Sequence, residues 1–345
     1  MRVKQEKSVT IKDVARECDV SPMTVSWVMN KPERVHHVTR ERVIAAMERL
    51  NYSPSAVARG LVRRRMNTLG VVRVGSVRVM SDPYFGHILE GVLTRSHDKE
   101  QKTLLYIEDD WSKASDAIAR FSDRQADGLL LIIPIDADSV FEVLERRGVP
   151  FVIIGDSRPE DNLTTVDVDN VETGRIATRC LLDAGHRRIA HISGPNQHVS
   201  AGLRLEGYKL ALRDAGIEID PLLVAEGDYT IESGYACASK LLDVARSERP
   251  SAIFCADDPM AFGVLNYLSE MGIKVPDEIS LIGVNGGQDA RDKGLTTLRQ
   301  PFEAIGELAT DLLLEMIEKG ESLVRKELLP PYIIQGRTVG PPKTS

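Results

Sequence analysis

Cysteine is scarce in this chain, with four residues in 345: Cys18, Cys180, Cys237 and Cys255. They form no C-x-x-C pair and sit beside no histidine cluster, which excludes a zinc framework or a disulfide scaffold and suits reduced thiols in the cytoplasm. Long apolar runs are missing too. Stretches such as Leu129–Ile133 and Phe151–Ile154 are far too short to span a bilayer, so no membrane partner is expected. The opening MRVKQEKSVTIKDVA carries charge but no apolar core after it, so no secretory signal is expected. Enzyme signatures are also absent: no G-x-S-x-G elbow, no P-loop, no G-x-G-x-x-G after a strand and no metal-ligand spacing. The seven histidines do not gather around a nucleophile, so neither catalysis, a metal nor a cofactor is expected. What remains is a globular composition, 42% hydrophobic and 28% charged, on a chain long enough for two or three domains.

The net charge of −7 conceals a polarity. Of the 44 basic and 51 acidic residues, Met1–Met66 holds 14 and 7, a balance of +7, leaving 30 and 44, a balance of −14. A basic head on an acidic body points to a polyanion as partner of the head alone, although a merely solvated surface has the same signature.

Local signals divide the head into helices. Thr10 with Asp13 three residues on is an N-cap with a carboxylate partner, and Ile11, Val14 and Ala15 recur at helical spacing. That helix stops near Cys18–Val20. Ser21 caps a second helix over Pro22–Met29, with proline at the first helical position and Val25, Val28 and Met29 turned inward. A third helix is expected to follow Thr39, with Val43, Ala46, Met47 and Leu50 as its stripe. Two short helices joined tightly and buttressed by a third make a helix-turn-helix unit, whose second helix enters the major groove. Pro22, Met23, Ser26 and Trp27 then face bases, with Thr24 nearer the backbone. The alternative is a plain three-helix bundle in which Met23 and Trp27 are core.

Past residue 52, the stretch beginning Ser53-Pro54-Ser55 spells a helix of about two turns containing Gly60, too short to be stable alone. Past Asn67 the pattern changes again. Apolar strands at Thr68–Val74, Thr103–Ile107, Gly128–Ile133 and Phe151–Ile154, then at Arg188–Ser193, Ala252–Cys255 and Ile279–Val284, alternate with helical stretches. Such alternation argues for parallel sheets covered by helices, in two lobes.

The head sequence TIKDVARECDVSPMTVSWVMN, with VTRERVIAAMERLNYSPSAVARGL after it, strongly resembles the DNA-binding head of the lactose/galactose/purine repressor family. DVDNVETG, GHRRIAHISGP, CADDPMAFGVL, ISLIGVN and LTTLRQP resemble its sensor domain, which is similar to periplasmic sugar-binding proteins. The resemblance implies an all-α helix-turn-helix head over 1–52, a hinge over 53–66, and a two-lobed α/β periplasmic-binding-protein-like sensor domain over 67–345. It also implies a homodimeric repressor of double-stranded operator DNA, controlled by a small-molecule, sugar-like effector. The DNA set it suggests is Thr10, Ser21, Pro22, Met23, Thr24, Ser26, Trp27, Asn30, Ser55, Ala58, Leu61 and Arg63. Leu61 stands where relatives wedge a leucine between base steps, and Arg63 would meet phosphate. Many relatives carry arginine in place of Trp27, so their operators do not transfer to this chain.

Ligands of open α/β sheets bind beyond the carboxyl ends of strands. That rule and the resemblance together nominate Tyr84, Phe85, Asp156, Arg204, Tyr229, Asp257 and Asn285 as effector-binding residues. Arg204 matches the family's effector arginine, and Asn285 stands where many relatives have aspartate. Asp257 reads equally as a helix cap, Asp169 and His186 read as structural, and His87 is within reach of a ligand near Tyr84. The rival readings are a solute-binding module, or an α/β enzyme of carbohydrate metabolism, without specific DNA binding.

Overall fold

The computed structural model describes residues 9–52, 65–74, 83–108, 125–133, 138–155 and 162–343, and these fall into two compact units, one ending at Met66 and one starting at Asn67. In the first unit, α1 (Ile11–Glu17) opens on Thr10, whose backbone N–H donates to the Asp13 carboxylate at 3.0 Å. Helix α2 (Pro22–Asn30) opens on Ser21, whose hydroxyl oxygen accepts the Thr24 N–H at 3.1 Å. Between them Asp19 takes a positive φ of 47°, the tight turn that lets the helices pack. Helix α3 (His37–Arg49) begins before Thr39 rather than after it, because the His36 carbonyl accepts the Arg40 N–H and no side chain caps the end. Val14, Ala15, Cys18, Val25, Val28, Val43 and Ala46 form the core of this unit, and Met29, Met47 and Leu50 pack against it half-buried.

The second unit holds two six-stranded sheets. The first consists of β1 (Thr68–Val74), β2 (Lys102–Glu108), β3 (Gly128–Ile132), β4 (Phe151–Ile154), β5 (Thr165–Val168) and a late strand, β11 (Lys326–Leu329), in the order β11-β5-β4-β3-β1-β2. Its pairings are parallel throughout. The second consists of β6 (Ile189–Ser193), β7 (Val224–Glu226), β8 (Ala252–Cys255), β9 (Ser280–Asn285), β10 (Thr296–Arg299) and β12 (Tyr332–Ile334), in the order β12-β10-β9-β8-β6-β7, with only β12 antiparallel. Five of these strands, β5, β7, β10, β11 and β12, are absent from the sequence reading. They are three or four residues long, and all but β12 mix polar with apolar positions, so they lack the long continuous apolar run of a central strand.

Helices α4 (Pro83–Asp98) and α11 (Phe302–Lys319) cover one face of the first sheet, and α5 (Asp138–Arg146) covers the other. Helices α6 (Asn170–Asp183) and α7 (Val199–Asp214) cover one face of the second sheet; α8 (Ile231–Leu242) and α9 (Asp258–Glu270) cover the other. A short helix, α10 (Gln288–Lys293), links β9 to β10. The chain therefore crosses between lobes three times: after β5, after β10 and after β11. Among the described residues, no helix is long and apolar enough to cross a membrane.

Candidate functional site

Helix α2 presents two contrasting faces. Val25 and Val28 are buried, while Met23, Ser26, Trp27 and Asn30 recur at i, i+3, i+4, i+7 on another side. Met23 is 59% exposed and Trp27 39%, so neither belongs to the core of the bundle. Ser21 and Pro22 are exposed at the amino end, Thr24 is half-buried, and Thr10 is exposed at the start of α1. The Asn30 amide is engaged locally, donating to the Ser26 carbonyl at 3.0 Å. Ser55, Ala58, Leu61 and Arg63 lie outside the described residues.

In the second unit a cavity of about 610 Å³ is lined by residues of both sheets and of the crossings between them. Tyr84, in the first turn of α4, stands edge-on to Phe302, with ring centroids 4.8 Å apart. A Cβ on Gly155 would lie 2.1 Å from the Tyr84 hydroxyl, so this ring sits only where the chain passes without a side chain. On the opposite wall, Tyr229 follows β7 with a φ of 65° and lies edge-on to His198 at 5.4 Å. Phe85 is a correction. It is fully buried in the first-lobe core, because Phe85, Ile88, Leu89 and Val92 form the inward stripe of α4, while Pro83, Tyr84 and His87 of the same helix line the cavity. Asp156 lies outside the described residues.

Arg204 is only 6% exposed and its fork is well engaged. Nε donates to Asn170 Oδ1 at 2.9 Å, Nη1 to the Ala256 carbonyl at 2.7 Å and Nη2 to Gln300 Oε1 at 3.4 Å. Asp257 is both a cap and a wall: its Oδ1 accepts the Met260 N–H at 2.9 Å, and the residue lines the cavity. Asn285 closes β9 at a φ of 126°, a region that favours glycine, and its Oδ1 accepts from Gln300 Nε2 at 2.7 Å. The two residues read as structural are so. Asp169 caps α6 through the Glu172 N–H, and buried His186 bridges Ser251 and the Gly340 carbonyl.

Several lining residues escape the sequence reading. Arg73, Asp167 and Arg299 come from strand ends, where the carboxyl-end rule could have nominated them. Asp258 is harder to foresee: burial pushes its carboxyl up to about 7, against the opposing pull of the Thr297 hydroxyl and the Gly286 N–H. His198 is held below the usual imidazole range, first by burial and then by Arg73 and Arg204. His87 borders the cavity as well, with Nδ1 2.8 Å from Glu303 Oε1, an oxygen shared with Arg299 at 2.5 Å.

Comparison with known proteins accounts for both units. Residues 10–55 match the lacI family of bacterial regulatory proteins, and residues 178–339 match a periplasmic binding protein-like domain. The HTH-type transcriptional repressor PurR of Proteus mirabilis (strain HI4320) is 34% identical over 335 residues, covering 96% of each chain. The PurR of Erwinia tasmaniensis is 36% identical over the same share. The chain belongs to the lacI family of bacterial regulatory proteins.

Solved structures of lacI-family regulators share its architecture. The lac repressor dimer bound to operator and the anti-inducer ONPF is 27% identical with a TM-score of 0.84, over 97% of this chain and 100% of that one. The transcriptional regulator CelR in complex with cellobiose is 30% identical with a TM-score of 0.74, over 96% and 99%. The fold expected from the sequence, a helix-turn-helix head and a two-lobed periplasmic-binding-protein-like domain, is thus the fold found.

Proposed function

We propose that this lacI-family chain is a sequence-specific DNA-binding transcription regulator, a repressor, whose operator affinity is set by a small sugar-like effector in the cavity between its two sheets. One observation carries the reading: a chain with a helix-turn-helix head also contains a cavity whose walls come from both lobes and their crossings. A ligand there meets both lobes at once, so it can prefer one lobe arrangement over another, and only such a preference can alter DNA affinity. Coupling of roughly 1–3 kcal/mol is typical of such proteins.

In this reading the protein works as a cytoplasmic homodimer without catalysis. Ser21, Pro22, Met23, Ser26, Trp27 and Asn30 meet the major groove, with Thr24 nearer the DNA backbone, and Thr10 and Arg63 meet phosphate. Ser55, Ala58 and Leu61 meet the minor groove. Tyr84, Asp156, Arg204, Tyr229, Asp257 and Asn285 meet the effector, while Phe85 supports Tyr84 from the core. The exposed Trp27 offers one N–H donor and an apolar face, so the operator departs from those read by an arginine at this place.

Selection of bound fragments from random duplex DNA, at two salt concentrations and with and without sugars, tests the reading. It expects an enriched palindrome whose retention changes with one of the sugars. Binding without enrichment that falls steeply with salt overturns sequence specificity and leaves a basic head with phosphate affinity.

A further inference from the structure

The polar floor of the cavity at the carboxyl end of β9 is built from two amides and one arginine, and the arginine fixes the direction of both amides. An arginine can only donate, so Gln300 must turn its Oε1 toward Arg204 Nη2, 3.4 Å away. The Gln300 amide nitrogen is then the end left for Asn285, and it donates to Asn285 Oδ1 at 2.7 Å. Asn285 must therefore keep its oxygen on Gln300 and turn Nδ2 the other way. Among the described residues Nδ2 has no partner, and Asn285 lines the cavity. Asp258 accepts from the Gly286 N–H at 2.8 Å and the Thr297 hydroxyl at 2.6 Å, and Asp257 Oδ1 accepts the Met260 N–H. The φ of 126° at Asn285 reinforces the point, because a non-glycine residue persists there only where its surroundings fix it.

We propose that Gln300, oriented by Arg204, commits Asn285 to donate a hydrogen bond into the cleft, so that the effector places an accepting oxygen, a hydroxyl, carbonyl or carboxylate, against the end of β9. Asn285 is thus a specificity-determining residue and Gln300 a positioning residue. The sugar-like effector then meets the end of β9 with an oxygen rather than with the ammonium of an amino sugar. This inference rests on the reading of the cleft as the effector site.

Two isosteric variants reverse the polarity by different routes. In Asn285→Asp the Gln300 amide is still accepted, but the cleft now meets an acceptor. In Gln300→Glu the amide donor is lost, so Asn285 must turn its nitrogen to Glu and its oxygen to the cleft.

Side-chain amide NMR of the full chain labelled at asparagine and glutamine reads the polarity without any ligand. In the wild type, one Gln300 amide proton is expected to be protected from exchange while both Asn285 protons exchange freely. In Gln300→Glu, Asn285 gains a protected proton. An Asn285 amide protected in the wild type overturns the donor assignment.

Thermal-shift titration with aldoses, their uronic acids and their amino sugars reads the ligand class. A compound whose carbonyl or carboxylate meets Asn285 should lose affinity about tenfold or more in both variants, and one that meets it with a hydroxyl, which can turn to donate, should lose less. A compound that shifts the Asn285 signal yet binds both variants undiminished overturns the donor's role in selection. A binder that leaves the Asn285 signal unmoved overturns the cleft as the effector site. A panel in which only amino sugars bind overturns the accepting-oxygen assignment.

Discussion

His191 should make the second lobe acid-sensitive, and replacing it by phenylalanine should remove that sensitivity. The ring is fully buried in β6 between Tyr208 and Phe254, at centroid distances of 5.2 and 4.4 Å. Nδ1 donates to the Phe254 carbonyl at 3.0 Å, while Nε2 is buried without a hydrogen-bond partner. Charging the ring places a proton on that nitrogen with nothing to receive it. Burial therefore pulls the imidazole down to about 3 from its ordinary 6.5, with Arg204 and Lys209 adding repulsion.

The unfolded chain takes up this proton below about pH 6.5 and the folded chain only near 3, so the unfolded state binds more protons across that window. The stabilisation is whole above about pH 6.5 and falls on acidification, by about 1.4 kcal/mol per pH unit, or about 2 kcal/mol by pH 5. Phenylalanine keeps the ring stack and loses only the Nδ1 hydrogen bond, a pH-independent cost of about 1 kcal/mol. Urea unfolding of both proteins at pH 5, 6 and 7 should show the wild type losing stability relative to His191→Phe as pH falls. Parallel profiles offset by a constant would refute the reasoning.

Asp258→Asn should act with the opposite sign: a carboxyl raised to about 7 holds its proton in the folded state, so wild-type stability falls as pH rises from about 4 to 7, and the same urea series should show this decline lost in the variant. Gly91→Ala should lower the thermal midpoint of the first lobe, because the new Cβ would lie 2.0 Å from the Glu303 carbonyl oxygen where α4 meets α11; overpacking of this kind costs roughly 1–3 kcal/mol, and an unchanged midpoint would show that the helices separate freely. Leu61→Ala and Arg204→Ala should divide the two binding functions. The first should weaken operator binding with effector affinity intact, and the second should lower effector affinity about tenfold or more; fluorescence anisotropy on operator and calorimetry with effector would expose either failure.

The head was legible because its signals are local. Thr10 with Asp13, and Ser21 with Pro22, announce helix starts within four residues, and Val25 with Val28 phase the second helix. The central strands were legible because parallel strands buried on both faces read as unbroken apolar runs, as Gly128–Ile132 does. What escaped depends on distance or phase. Asp167 is buried within β5, so a carboxylate interrupts the one run that would have marked this strand. Phe85 follows Tyr84 in sequence but points about 100° away on α4, and its helical phase with Ile88, Leu89 and Val92 outweighed its nearness to the strand end. Gln300 lies in the LTTLRQP stretch just past β10, but its role shows only once β10 brings it to Arg204 and Asn285.

Arg204 shows why a pocket residue and a joint residue need not be different residues. Its three hydrogen bonds reach Asn170 just past the first crossing, Gln300 at the second and the Ala256 carbonyl at the end of β8. Asn170 in turn donates to Asp167 of the first sheet at 3.3 Å, so the chain of contacts runs from one lobe to the other through the guanidinium. Under the proposed reading, an effector that draws on Arg204 acts on the same bonds that hold two of the three crossings. Arg204→Lys separates these roles. A single ammonium keeps the charge presented to an anionic ligand but cannot reach three acceptors in a planar fork. If Arg204 serves only the pocket, the lysine variant should retain effector control of DNA affinity in proportion to its effector affinity. If it serves the crossings too, effector should still bind while the change in operator affinity at saturation shrinks. Operator titrations with and without saturating effector distinguish the two.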